Sequence, residues 1–255
     1  MLEKPRPVLP VYPLAWLTRP LSRLPGVFGA SVGVAVLPGV GRMLYPYFDE
    51  DEFYRNLGHV YRYRDYERLA DFVPRRGWRV VDAGAYVGVY ALRAARLVAP
   101  GGVVVALEPN PLTYAFLRAN IVLNGARAVA LPAALWVEEG EVRLHVAESL
   151  VNSSLREEYV GYMSRSLGSV EVPAVTVSRL ARQLGGVDLL KMDVEGVEVE
   201  VISGGLEGVE RLVVEVHPPL VEAWEAAGLL EEQGFDTFTV AGEAPHQAFV
   251  YAWRR

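Results

Sequence analysis

The 255-residue chain has no cysteine. That excludes disulfides, thiolate nucleophiles and cysteine-based zinc sites. Histidine is scarce: four residues, at 59, 145, 217 and 246, with no close-spaced pair. An H-E-x-x-H zinc site is therefore excluded too. Lysine is scarcer still, since Lys4 and Lys191 are the only lysines among 25 basic residues. An arginine-biased chain that keeps a lysine at 191 points to a position needing a compact three-donor ammonium rather than a planar fork. Chance survival is the plain alternative. There is no Gly-Lys-Ser/Thr and hence no P-loop. The net charge of −6 argues against general nucleic-acid binding. What the chain does have is apolar mass, 51% hydrophobic against 22% charged residues. That suffices for one large domain, with or without an appendage, and excludes disordered and collagen-like classes. Few lysines and many prolines would also suit a heat-adapted source.

Eight of the 17 prolines fall in residues 1–46, which precludes a long regular helix before Leu21. Residues 24–41 form an uncharged run of 18. That length reaches the threshold of a membrane span, but Pro25, Pro38 and five glycines interrupt it. The run is expected to form short helical pieces that cover a core or line a pocket. Peripheral contact with a membrane surface is the alternative. Residues 8–17 make a poor signal peptide, broken by Pro10 and Pro13 with no A-x-A site following. From 45 to 66, eight of 22 residues are Phe or Tyr. A helix packing its rings onto the domain is the plain expectation. A cap that stacks on a bound ring is the functional one, with Tyr63 as a candidate substrate contact. Residues 1–66 are thus expected to form an N-terminal helical cap on a domain spanning 67–255.

From Trp78 onward, strands alternate with helices. Strands are expected at 79–82, 103–107, 127–131, 187–192, 211–216, 235–240 and 248–253, and helices at 89–98, 111–123, 195–202 and 220–233. Residues 133–175 look like an insertion: a hairpin of 134–136 with 141–146, then a polar loop. Alternation of this kind gives an α/β fold with a doubly wound, seven-stranded, mostly parallel sheet. The terminal hairpin around 242–245 supplies the antiparallel strand. Ligands of such sheets bind beyond the carboxyl ends of the strands, near the switch point. The polar residues at those ends are Asp82, Glu108, Asp193 and His217.

Residues 82–88, D-A-G-A-Y-V-G, join the first of these strands to a helix. A dinucleotide fingerprint G-x-G-x-x-G aligned on Gly88 would need glycine at Ala83 and Ala85, so it fails. What remains is D-x-G-x-x-x-G. Gly84 permits a tight turn, and Gly88 lets the chain approach a ligand closely. A carboxylate at this turn suits a cationic ligand and would repel a pyrophosphate. Glu108, at the end of the next strand, is placed to accept both hydroxyls of a ribose. A ribose plus a cationic group without phosphates describes S-adenosylmethionine. Ala85, Tyr86, Pro109 and Asn110 complete the expected cofactor contacts.

The segments V-V-D-A-G-A-Y-V-G-V-Y, A-L-E-P-N-P, R-A-N-I-V-L-N, L-L-K-M-D-V-E-G-V-E and V-V-E-V-H resemble the FkbM family of S-adenosylmethionine-dependent methyltransferases, over about residues 66–217. The resemblance implies the Rossmann-like class I methyltransferase fold and methyl transfer, commonly to a hydroxyl of a sugar or secondary metabolite. By matching motif it implies Asp82, Gly84, Tyr86, Gly88 and Glu108 as cofactor contacts. Tyr86 stands where the family usually has Asn or another small polar residue. Residues 1–60 lie outside the resemblance.

Methyl transfer from a sulfonium is an in-line displacement, so the protein must hold the acceptor oxygen and manage its proton. Lys191 and Asp193 share one side of their strand, with Asp193 roughly 6–7 Å nearer its carboxyl edge. Asp193 could steer the sulfonium and accept the proton. Lys191 could keep that carboxylate ionised or lower the acceptor's pKa. Glu195 is expected to open the following helix, where it and Glu198 would also suit the helix dipole. His217, unperturbed near neutrality, is a candidate general base, a structural histidine being the alternative. Glu215 shares its strand face. Asp193, Glu195 and His217 could hold a divalent cation. Lys191 would compete for the same carboxylates, so no metal is expected. Asn152, in the polar loop, is a candidate substrate contact, and turn chemistry explains it equally well.

The sequence therefore predicts a cytoplasmic O-methyltransferase acting on a small-molecule or glycan acceptor, with membrane association through residues 24–41 as the alternative to a freely cytoplasmic protein. Three rivals remain at this point. N-methylation needs the same fold. RNA methylation would use the Arg-rich stretch 61–79. A non-catalytic module could anchor through residues 24–41. The sequence does not fix the oligomeric state.

Overall fold

The computed structural model describes residues 32–37, 40–218, 220–242 and 247–255. The expectations for residues 1–31, including 8–17 and most of the 24–41 run, lie outside these residues, as does most of the 242–245 turn.

The first described elements are two strands, β1 (Val32–Leu37) and β2 (Gly41–Pro46), paired antiparallel. They correct the expectation of helical pieces for the part of 24–41 they cover. The reason is local packing. The ring of Tyr45 lies across Gly33, where a Cβ would fall 2.2 Å from it, so a glycine that weakens a helix here admits a cross-strand aromatic ring. Helix α1 (Glu50–Leu57) and a π-helical turn over Gly58–Tyr63 follow.

The main domain then runs β3 (Arg79–Ala83), α2 (Val89–Val98), β4 (Val103–Leu107), α3 (Pro111–Leu123) and β5 (Ala128–Leu131). Next come β6 (Ala134–Leu135), β7 (Gly140–Ala147), α4 (Glu157–Met163) and β8 (Ser166–Val175). The chain ends with α5 (Val177–Leu184), β9 (Leu189–Met192), α6 (Glu198–Ser203), β10 (Arg211–Val216), α7 (Ala223–Glu232), β11 (Phe235–Ala241) and β12 (Ala248–Arg254). The seven-stranded sheet has the order β11-β12-β10-β9-β3-β4-β5, with β12 alone antiparallel to its neighbours. Alternate residues of each strand feed two cores. Val80, Val104 and Leu189 pack with α2, α3 and the N-terminal hairpin, and Val81, Val105 and Leu190 with α5, α6 and α7.

The insertion departs from expectation. β6 and β7 do not pair with each other. β8 lies between them, parallel to β6 and antiparallel to β7. The expected polar loop is thus the central strand of a small three-stranded sheet. Helix α5 has no counterpart in the sequence reading. Thr176 caps it by accepting from Arg179 N, and Gly185 ends it in the left-handed conformation.

Asn120, in the R-A-N-I-V-L-N segment, explains how the hairpin meets the domain. Its side chain accepts from Leu44 N (2.7 Å) and donates to Leu44 O and Val87 O, both at 2.8 Å. One buried amide thus fixes the edge of β2 to the turn after β3, each bond contributing about 1 kcal/mol net. No helix among the described residues is long and apolar enough to cross a membrane.

Candidate active site

Strand order reverses between β3 and β9, which opens a crevice at their carboxyl ends. A cleft of about 530 Å³ lies there, lined by Gly84, Tyr86, Glu108, Asn152, Asp193, Glu195 and His217, among others.

One wall is the glycine turn. Gly84 has φ +74°, and a Cβ on it would sit 1.8 Å from the carbonyl oxygen of Asp193, so only glycine lets the ends of β3 and β9 approach this closely. Tyr86 takes a left-handed φ of 51°, unfavourable for a bulky residue. Two bonds hold it there. Its N–H donates to Glu108 Oε2 (2.7 Å), and its hydroxyl donates to Asp49 Oδ2 (2.6 Å). Tyr86 therefore joins the turn to the N-terminal segment. Asp49 also accepts from Leu150 N of the insertion (3.4 Å), and burial pushes its carboxyl up to about 6. Glu108 takes two more donors on Oε1, Asn110 N at 2.9 Å and Thr113 Oγ1 at 2.8 Å. Burial raises it to about 7 in spite of them.

The opposite wall is acidic. Lys191 is buried and donates to Gly84 O (2.8 Å), lying 3.2 Å from Asp193 Oδ2 and 3.3 Å from Asp82 Oδ1. Burial opposes its charge, but Asp193 and Asp82 outweigh that and hold the ammonium above its ordinary value. Asp193 experiences the converse: burial would raise it, and Lys191 and His217 keep it below the usual carboxylate range. The hydroxyl of Tyr66 is shared between Glu215 Oε2 (2.5 Å) and Asp193 Oδ2 (3.1 Å). Glu195 has a left-handed φ of 58°, and its Oε2 accepts from Tyr159. Burial lifts it to about 8.

Glu195 is thus not in a helix, because α6 begins only at Glu198. The dipole argument does not apply to it. His217 Nδ1 pairs with Glu198 Oε1 at 3.1 Å. Burial disfavours its charge, yet Glu195, Glu198 and Glu215 hold it well above the ordinary imidazole value.

Of the other sequence candidates, Pro109 lines the cleft; Asp82, Ala85, Gly88, Asn110, Lys191 and Tyr63 do not. Asp82 lies behind Lys191, and Gly88 is pressed against Leu117. Asn110 is spent on capping α3 and on Ser153 Oγ. Tyr63 packs beside His59 and under Arg62. Tyr66, three residues on, lines the cleft instead, as do Tyr86, Tyr159 and Tyr162. Its position in the aromatic run gave no sign of this, whereas Glu215 stood two residues before His217 on one strand face.

A family model described as the methyltransferase FkbM domain matches residues 82–237. The chain belongs to the FkbM methyltransferase family. Its relatives agree. Methyltransferase sdnD of Sordaria araneosa is 32% identical over 213 residues, covering 69% of this chain and 81% of that one. Methyltransferase 1 of Beauveria bassiana is 28% identical over 191 residues, covering 66% and 75%. Among solved structures, an S-adenosylmethionine-dependent O-methyltransferase from Thermotoga maritima aligns over 89% of this chain and 78% of its own, at 15% identity and a TM-score of 0.47. At that score the likeness adds nothing to the strand order itself.

The chain is a methyltransferase, and S-adenosylmethionine is its cofactor. The residues present fit that group. Glu108 and Pro109 face the cleft beside the apolar Ala133, Ala134 and Leu135. That end has a carboxylate for a ribose and an apolar slot for a base. Three of roughly four acceptor positions on Glu108 are already taken, so it has room for one ribose hydroxyl rather than the expected two.

Proposed function

We propose that the chain methylates a hydroxyl oxygen on a small acceptor: a sugar, a glycolipid or another hydroxylated metabolite. The observation that carries this reading is the acidic end of the cleft, where Asp193, Glu195, Glu215 and His217 line one wall. Fixed carboxylates and an imidazole are the groups that hydrogen-bond hydroxyls and receive their protons. The cofactor supplies an activated methyl carbon when bound. The protein's part is to hold the acceptor oxygen and take its proton. Glu195 suits that role, because Tyr159 fixes its Oε2 and leaves Oε1 for the acceptor. Lys191 and Tyr66 act from behind by keeping Asp193 ionised and in place.

The test is product analysis. The protein, S-adenosylmethionine with an isotope-labelled methyl group, and a panel of glycosides, phenols, primary amines and RNA would be incubated and examined by mass spectrometry. Methyl ethers are expected. Label found only on nitrogen or in RNA would overturn the reading. With the acceptor in hand, Glu195→Gln should lower kcat at least about tenfold, within the range general-base catalysis supplies, with KM little changed.

A further inference from the structure

The Asp193, Glu215 and His217 side chains do more than line a wall. One ligand atom from each lies within 4.8 Å of the other two. His217 Nε2 is 3.8 Å from Asp193 Oδ1 and 3.8 Å from Glu215 Oε1. Donor bonds of about 2.1 Å would place two ligands of one ion about 3 Å apart if adjacent and about 4.2 Å apart if opposite. The two spacings from His217 fall between these limits.

Three further observations point to a ligand there. His217 is only 7% exposed, yet its Nε2 has no carboxylate nearer than Glu195 at 3.5 Å. Asp193 Oδ1 is buried with no hydrogen-bond partner, whereas Oδ2 is taken by Lys191 and Tyr66. The other ring nitrogen of His217 faces the fully buried Glu198 at 3.1 Å. A carboxylate behind one imidazole nitrogen is the arrangement that fixes the tautomer of a metal-binding histidine.

We propose that Asp193 Oδ1, His217 Nε2 and Glu215 Oε1, which accepts from Gln247 Nε2 through one lone pair and keeps the other free, bind a divalent first-row cation through mixed oxygen and nitrogen ligands. Lys191 does not stand in the way, because it occupies the other oxygen of Asp193. Two carboxylates and one imidazole suit manganese(II), or a neighbouring metal, better than an all-oxygen site would. A cation so placed would hold an acceptor oxygen and acidify its hydroxyl. That use rests on the hydroxyl-acceptor reading above; occupancy of the site does not.

The experiment measures occupancy alone. Metal-stripped full-length protein would be titrated with manganese(II) in the absence of cofactor and acceptor, and free ion read by electron paramagnetic resonance. Saturable binding of one equivalent is expected, weakened at least tenfold in Glu215→Gln and in Asp193→Asn. The two variants fail independently, and circular dichroism verifies that each is folded. No saturable binding up to millimolar ion would overturn the proposal. So would binding that both folded variants retain unchanged. Because no methyl transfer is read, a wrong acceptor class would leave this result untouched.

Discussion

Glu108 and Asp193 occupy corresponding places, each the first residue past its strand, β4 and β9, yet their surroundings differ in kind. Glu108 is satisfied by Tyr86 N, Asn110 N and Thr113 Oγ1. Asp193 sits among Lys191, Tyr66 and His217 with one oxygen unpartnered. Both oxygens of Asp82 and Oε2 of Glu198 are likewise buried without a hydrogen bond. The cofactor side of the cleft is therefore built by neutral donors, two backbone amides and one hydroxyl, and holds its shape unaided. The β9–β10 side is held by opposed charges, and its surplus of acid is completed by what binds. The first kind of wall gives shape before a ligand arrives. The second gives attraction for cations and a place for protons.

Removing the one ammonium should expose that contrast most strongly. Lys191→Met would strand Asp82 and Asp193 and leave Gly84 O without its donor. Breaking a buried pair from one side costs about 3–5 kcal/mol, and urea unfolding should read a loss of that size. Adding Asp82→Asn should restore part of it. A midpoint unchanged in Lys191→Met would mean that the acidic wall does not depend on charge pairing.

Asp49 tests whether the N-terminal segment is tuned to the cofactor wall or merely tolerated by it. Its carboxyl is held at about 6 by burial, against an ordinary 3.8. Between those values the folded state binds more protons than the unfolded one. Stability from this group is therefore lost as pH rises through the window. Asn at 49 keeps an acceptor for Tyr86 and carries no charge. The stability of Asp49→Asn relative to the parent should rise between pH 4 and pH 7, by on the order of 3 kcal/mol. A difference flat with pH would show that the carboxylate is not penalised in the fold.

The contrast between the walls also bears on what the sequence alone could show. The seven strands of the main sheet were legible because each is a short apolar run bounded by Gly, Pro or a carboxylate. The nearness of Asp193 to His217 followed from strand ends alone. β8 was harder. Val170, Val172 and Ala174 alternate, but Gly168 and Pro173 argue for a loop. The strand tolerates Pro173 because β6 pairs with it only at Ala174 and Val175, which leaves that edge open beside the proline. β1 hid for a different reason: its inward positions are Gly33 and Ala35, small residues whose burial depends on Tyr45 arriving from β2. The places of Tyr66 and Asp49 in the site depend on how the N-terminal segment folds back over the sheet, which no local pattern encodes. The acidic surroundings of His217 needed the fold in the same way, because Asp193, Glu195 and Glu198 reach it from the neighbouring β9–α6 segment.

The smallest effect is the most diagnostic for the cofactor wall. Glu108→Ala removes the acceptor that the ribose would use and also the anchor of Tyr86 N. Binding of S-adenosylhomocysteine, read by calorimetry, should weaken by about 1–2 kcal/mol, the worth of one or two net hydrogen bonds. Glu108→Gln separates the two losses. Its amide oxygen still receives Tyr86 N or Asn110 N, so the turn keeps much of its support while the charge is gone. If shape alone prepares this wall, Glu108→Gln should bind nearly as well as the parent. If the carboxylate's charge matters, both variants should fall together. The construction from neutral donors favours the first outcome. Were Glu108→Gln as weak as Glu108→Ala, the two walls of the cleft would differ less than their hydrogen bonds imply.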